Sequence, residues 1–187
     1  MDEEGFYKVV GRIKEIIITA GGENVAPTNI EDEIRQELPA LVSMAVICGD
    51  GRKFLTCLLT LRVEVDPATM APTQQLEAGA AAWLKEVSGQ QIGSLTIRAA
   101  VCQVLWCAGT VAELLASPAW PAVEAAISAG IERANDRAVS NVARVKKWKV
   151  LQKEFSVEGG ELSPTLKLKR FQVAKMYSSE IEEMYEE

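Results

Sequence analysis

The chain has 187 residues, 48% of them apolar and 25% charged, with a formal net charge of −6. That is the composition of a globular domain with room for a real core, and its acidity argues against a general nucleic-acid binder. Histidine is absent, which removes Ser-His-Asp and Cys-His catalysis and any His-containing metal site. Chemistry then falls to lysine, arginine, carboxylates or backbone dipoles.

The N-terminal residues are acidic rather than basic followed by apolar, so no secretory signal peptide is expected. The four cysteines, Cys48, Cys57, Cys102 and Cys107, are too sparse for a disulfide scaffold and point to a reducing compartment. Their spacing matches no metal site, and no metal ligands are expected.

In chain order, residues 5–19 read as two short strands joined at Gly11 and Arg12, with β-branched Ile16 to Ile18 in the second. Gly21 and Gly22 then form a loop suited to presenting backbone amides to a ligand. Residues 28–38 read as a helix, with Thr28 as N-cap, Glu31 completing a capping box, and Ile30, Ile34, Leu38 and Leu41 on one face. Val42 to Cys48 and Phe54 to Leu61 flank Gly49-Asp50-Gly51 as a β-hairpin dense enough in apolar residues to be covered on both faces.

Residues 66–75 read as loop. Helices are expected at 76–87, 110–116 and from Pro121 to about Val142. A strand is expected at 145–157, an extended stretch around Pro164 at 162–169, and a closing helix at 171–185. The mostly apolar segment 92–108 is shorter than the ~20 residues of a transmembrane span; a buried helix, a buried strand and an unsettled insertion all remain open. Trp83, Trp106, Trp120 and Trp148 are expected as core anchors. The order of elements indicates an α+β domain, a small mixed or antiparallel sheet flanked by helices, with a helical insertion at about 66–143.

In an extended 162–169 segment, Thr165, Lys167 and Lys169 share one face while Leu166 and Leu168 share the other. The leucines would anchor the segment and the two ammonium groups would project towards a phosphate or an activated carboxylate. A solvated edge strand, whose lysines discourage aggregation, has the same pattern. Residues 144–175 also carry nine Lys or Arg against three Glu. An anionic partner and an ion-paired solvated face both account for that excess, and the acidic residues from Glu180 onward are placed to pair with it.

Gly11-Arg12-Ile13-Lys14, followed by Ala20-Gly21-Gly22-Glu23-Asn24-Val25-Ala26-Pro27, resembles the hinge region of adenylate-forming enzymes. Gly159-Gly160-Glu161-Leu162-Ser163-Pro164-Thr165-Leu166-Lys167-Leu168-Lys169-Arg170, with Lys147-Trp148 upstream, is similar to the lysine-bearing motif of long-chain acyl-CoA synthetases of the bubblegum type. The resemblance covers residues 1–88 and 109–187 and lapses at 89–108. It implies that residues 1–14 are the end of a hinge and a linker to a missing N-terminal adenylation domain. Residues 15–187 would be the C-terminal lid domain of a long-chain fatty acid:CoA ligase.

The family reaction joins a fatty acid to ATP as an acyl-adenylate, then transfers the acyl group to CoA, with the lid rotating between the two halves. Carried over, Arg12 would contact the nucleotide, Lys14 would be the pivot, and Gly21, Gly22, Glu23 and Asn24 would line the CoA side. Lys167, with Lys169 as the alternative, would be the catalytic lysine. The family's usual Ser-Gly before that lysine is Thr165-Leu166 here. ATP and CoA would be substrates, with Mg2+ accompanying ATP and bound mainly outside these residues. No nucleic acid and no transmembrane span are expected. A cytoplasmic enzyme, peripheral to the endoplasmic reticulum membrane, is what the resemblance adds. A stand-alone module of the same fold, binding CoA or a protein without chemistry, is the alternative. The lid role requires the glycine loop and at least one of the two lysines to be open to solvent.

Overall fold

The computed structural model describes residues 15–91 and 109–186. The strand expected before Gly11, the segment 92–108 with Trp106, Cys102 and Cys107, and both Arg12 and Lys14 lie outside the described residues. A short antiparallel pair, β1 (Ile17–Ile18) with β2 (Asn24–Val25), precedes α1 (Pro27–Glu37). The hairpin of β3 (Val42–Cys48) and β4 (Leu55–Leu61) follows as expected. β5 (Val63–Val65) and β6 (Pro72–Leu76) then form a second small hairpin before α2 (Ala78–Gln91). The chain continues through α3 (Val111–Leu115), α4 (Trp120–Asn135), β7 (Val145–Val150), α5 (Arg170–Met176) and α6 (Ser178–Glu186).

The main sheet has the order β3-β4-β7, with β3 antiparallel and β7 parallel to the central strand. All seven residues of β4 are buried, because each face of the sheet carries its own helical layer. Leu55, Cys57, Leu59 and Leu61 point into a cluster with Ile34 and Leu38 of α1 and with Val123, Ile127 and Ile131 of α4. Leu58 points the other way, into a cluster with Val173 of α5 and Ile181 and Met184 of α6. Period-two alternation therefore sorts one strand between two cores. Trp83, Trp120 and Trp148 are partly buried against the first cluster.

Several expectations need correcting. Residues 66–75 are not simply loop: a turn closed by the Asp66 carboxylate, which accepts from the Ala68 amide at 2.8 Å, lets Pro72–Leu76 return as β6. No capping box forms at Thr28. Ala26 is the N-cap of α1, Pro27 opens the helix, and no side chain caps it. The box occurs instead at α3, where the Thr110 hydroxyl accepts from the Glu113 amide at 3.3 Å and Glu113 accepts from the Thr110 amide at 3.0 Å. β7 stops at Val150, and the closing helix breaks in two at Tyr177. The acidic α6 does pair with basic groups, Glu183 with Lys149 and Glu182 with Arg52.

The long helix expected to reach residue 142 ends at Asn135. The reason is local. The Asn135 amide donates to the Val145 carbonyl at 3.0 Å and accepts from the Val145 amide at 2.8 Å, so one side chain ends α4 and starts β7. Replacing Asn135 with Ala strands both Val145 groups without shifting the apolar core. Asn135→Ala should cost about 2–3 kcal/mol in urea unfolding, whereas Val139→Ser, at a residue 98% exposed, should change stability by under about 0.5 kcal/mol.

Candidate functional site

The glycine loop lies between β1 and β2, and Gly21, Gly22, Glu23 and Asn24 are all exposed. Buried Thr19 organises it. Its amide donates to the Glu23 carbonyl at 3.1 Å, its carbonyl accepts from the Gly22 amide at 2.8 Å, and its hydroxyl accepts from the Glu23 amide at 3.3 Å. The loop is also laced to the β3–β4 turn, through Ala20 N–H to the Arg52 carbonyl at 2.9 Å and Gly51 N–H to the Ile18 carbonyl at 2.7 Å. The amides of Thr19, Ala20, Gly22 and Glu23 are thus spent internally, and the expected cradle of free amides does not form. What the loop offers is open space. Gly22 has φ +79°, which L side chains adopt only under strain, and a Cβ built on Gly21 meets only the Thr19 hydroxyl at 3.8 Å. A cleft of about 480 Å³ opens beside it, lined by Asn24, Asn29, Gln36, Asn135 and Arg137.

The second stretch is not the extended strand expected at 162–169. Leu162 pairs with Leu168 across a tight loop. Within it, Ser163 N–H donates to the Lys167 carbonyl at 2.8 Å and Leu166 N–H to the Ser163 carbonyl at 2.8 Å. The Ser163 hydroxyl accepts from the Lys167 amide at 3.1 Å. A serine that bonds its neighbours' backbone in this way favours a turn over a strand. The expected alternation of faces is therefore lost, and Leu166 does not anchor the segment. It sits at the tip, 70% exposed, at φ +57°, while Leu168 packs against the second core. Lys167 and Lys169 are both exposed, so exposure leaves them undistinguished.

Behind this loop stands a buried carboxylate. Glu161 is 6% exposed and accepts from the Tyr177 hydroxyl at 2.9 Å and the Ser156 amide at 3.3 Å. Its carbonyl holds the Lys169 amide at 2.8 Å. Burial, then the bond to Glu161, pushes the Tyr177 phenol well above its ordinary pKa, so it remains a donor at neutral pH. Cys48 and Cys57 are buried in β3 and β4. Burial pushes the Cys48 thiol up to about 11 and Cys57 well above its usual range; neither is a thiolate nucleophile at neutral pH. Among the described residues no cluster of acidic or cysteine side chains is arranged to hold a metal ion, and no helix is long and apolar enough to cross a membrane.

Sequence reasoning missed the pair that joins the two stretches. Glu31, 6% exposed on α1, accepts from both terminal nitrogens of Arg170, at 3.0 Å for one of them, and from the Ile47 amide at 2.8 Å. The signal was present. Pro27, Glu31 and Ile34 share the buried face of α1, and a carboxylate on such a face requires a partner.

Comparison with known proteins bears on this geometry. The family model described as the AMP-binding enzyme C-terminal domain matches residues 14–86. Residues 14–86 belong to that family. In fold, the chain is similar to the adenylation domain of a carboxylate reductase from Mycobacterium chelonae, with a TM-score of 0.58 at 19% identity, covering 100% of this chain and 24% of that one. The long-chain-fatty-acid–CoA ligase ACSBG1 of Mus musculus is 42% identical over 187 residues, covering 100% of this chain and 23% of its own length. The ligase ACSBG2 of Gallus gallus is 43% identical over 184 residues, covering 98% and 22%. The chain therefore spans about a quarter of the length of the curated relatives it matches.

Leu166 holds a positive φ of +57°, a conformation glycine adopts freely. A non-glycine residue there carries about 1–2 kcal/mol of strain, partly offset by the entropy an unfolded glycine gains. Leu166→Gly should raise stability by up to about 1 kcal/mol. Thermal unfolding that instead shows a clear loss would mean that the exposed leucine makes a packing contact.

Proposed function

We propose that this chain is the C-terminal lid of a long-chain fatty acid:CoA ligase, which forms an acyl-adenylate from fatty acid and ATP and then a thioester with CoA. The observation that carries the reading is identity of about 42% to such ligases along all 187 residues, spanning both exposed loops. Residues 1–14 serve as the end of the hinge, with Lys14 as pivot and Arg12 on the nucleotide. Residues 15–187 form the lid, and the elements between about 66 and 143 are its insertion.

In the adenylating pose Lys167 reaches the carboxylate and the α-phosphate, with Lys169 as the alternative. An ammonium there neutralises charge that gathers on both groups in a site closed to water. After rotation, Gly21, Gly22, Glu23 and Asn24 face the CoA thiol arm, and the open space at the two glycines lets it pass. Both loops are solvent-exposed, as either role requires. ATP, CoA and the fatty acid are held chiefly by the N-terminal part of the enzyme, with Mg2+ accompanying ATP there. The chain by itself is therefore expected to be inactive.

The test is Lys167→Ala and Lys169→Ala, made separately in the full-length ligase, with each half-reaction timed. One of the two should slow adenylation by about a hundredfold, or ~3 kcal/mol, and leave thioester formation from preformed acyl-adenylate nearly intact. Wild-type adenylation in both variants would refute the assignment. Appreciable CoA affinity of the 187-residue chain in titration calorimetry would favour a stand-alone binding module instead.

A further inference from the structure

We infer that Glu31 and Arg170 form a positioning clasp, fixing the lysine loop to the helix that follows the glycine loop so that the two loops move as one rigid body. The functional half of this inference rests on the ligase reading; the structural half does not.

The two residues are 139 positions apart and belong to opposite helical layers. Glu31 lies on α1, packed on one face of the sheet, and Arg170 opens α5, packed on the other. They meet around the free edge of β3. The Ile47 amide, which points away from β4, donates to one Glu31 oxygen, and the Arg170 guanidinium grips both oxygens. Arg170 directly follows Lys169, whose amide is held by the Glu161 carbonyl at 2.8 Å. Glu31 lies one helical turn from Pro27, and β2 ends two residues before that proline. The clasp thus connects the start of α5, next to the lysine loop, to the helix that follows the glycine loop.

Its chemistry suits alignment better than stabilisation. A two-pronged guanidinium–carboxylate contact fixes angle as well as distance, which a lysine cannot do. A buried ion pair gains little over an apolar pair of equal volume. Arg170 Nε is buried with no hydrogen-bond partner among the described residues, a cost that orientation can justify.

Two variants separate alignment from folding: Arg170→Lys, which keeps the charge, and the double variant Glu31→Gln with Arg170→Met, which removes both charges and keeps an acceptor for Ile47. Hydrogen exchange on the 187-residue chain should show the Leu166, Lys167 and Lys169 amides exchanging about tenfold faster or more in both variants, with β4 amides within about threefold of wild type. In the full-length ligase, kcat for adenylation should fall about a hundredfold, as for a misplacement of about 1 Å, with KM values and thioester formation within about threefold. Unchanged loop exchange, exchange that quickens equally across the whole domain, loss of folding in both variants, or equal slowing of both half-reactions overturns the inference. Lys167→Ala and Lys169→Ala serve as controls. If neither slows adenylation, the ligase reading fails while the exchange result still decides the clasp.

Discussion

The Glu31 carboxylate is the constraint on which the rest of the structure depends. It satisfies an amide on the edge of the sheet and recruits a cation from the opposite helical layer. A charge buried to this degree is tolerable only when paired and fully hydrogen-bonded, so the position of Arg170 is dictated once α1 has packed. With Arg170 fixed, the start of α5 is fixed, and the lysine loop that ends there can no longer wander over the surface. The apolar cores on either side of β4 supply most of the stabilisation, but they would tolerate small slips of one layer against the other. The ion pair does not.

Around that constraint the two exposed loops are built in contrasting ways. The glycine loop is stiff because Thr19 and the neighbouring hairpin turn hold four of its amides, and it is open because Gly21 and Gly22 lack side chains. The lysine loop is stiff because Ser163 bonds three of its backbone groups, and it holds strain at Leu166. Rigid loops with empty space on one and projecting ammonium groups on the other suit the proposed lid, which would meet a second domain in two orientations. Positioning of this kind is worth more to an enzyme than flexibility at the reacting groups themselves.

Much of the fold was legible in the sequence wherever the apolar period was strong and local. The β3–β4 hairpin announced itself by two apolar runs around Gly49-Asp50-Gly51, and α1 by the spacing of Ile30, Ile34 and Leu38. Both loops were found from glycine, proline and lysine patterns, and the family from their spelling. What was illegible depended on partners distant in sequence. Glu31 fitted a capping box by spacing, yet Pro27 starts the helix from Ala26 and leaves Glu31 to face Ile47 and Arg170. Residues 162–169 alternate as a strand would, but Ser163 bonding to the backbone of its neighbours bends them into a loop. The end of α4 was missed because Asn135 stops it by bonding Val145, ten residues on, a contact no local period encodes. β6 was hidden by a proline that a short edge strand can accept at its first residue.

Gly21 offers the sharpest test of the proposed division of labour between the two loops. Its φ is not positive and a Cβ there meets nothing closer than 3.8 Å, so alanine fits the folded chain without strain, and any effect must come from what approaches the loop. The decisive measurement is single-turnover kinetics of Gly21→Ala in the full-length protein of the proposed ligase, following the acyl-adenylate as it forms and is consumed. A lid with separate faces predicts adenylate accumulation at the wild-type rate, followed by transfer to CoA slowed about tenfold or more. Transfer at the wild-type rate, or both phases slowed alike, would contradict it.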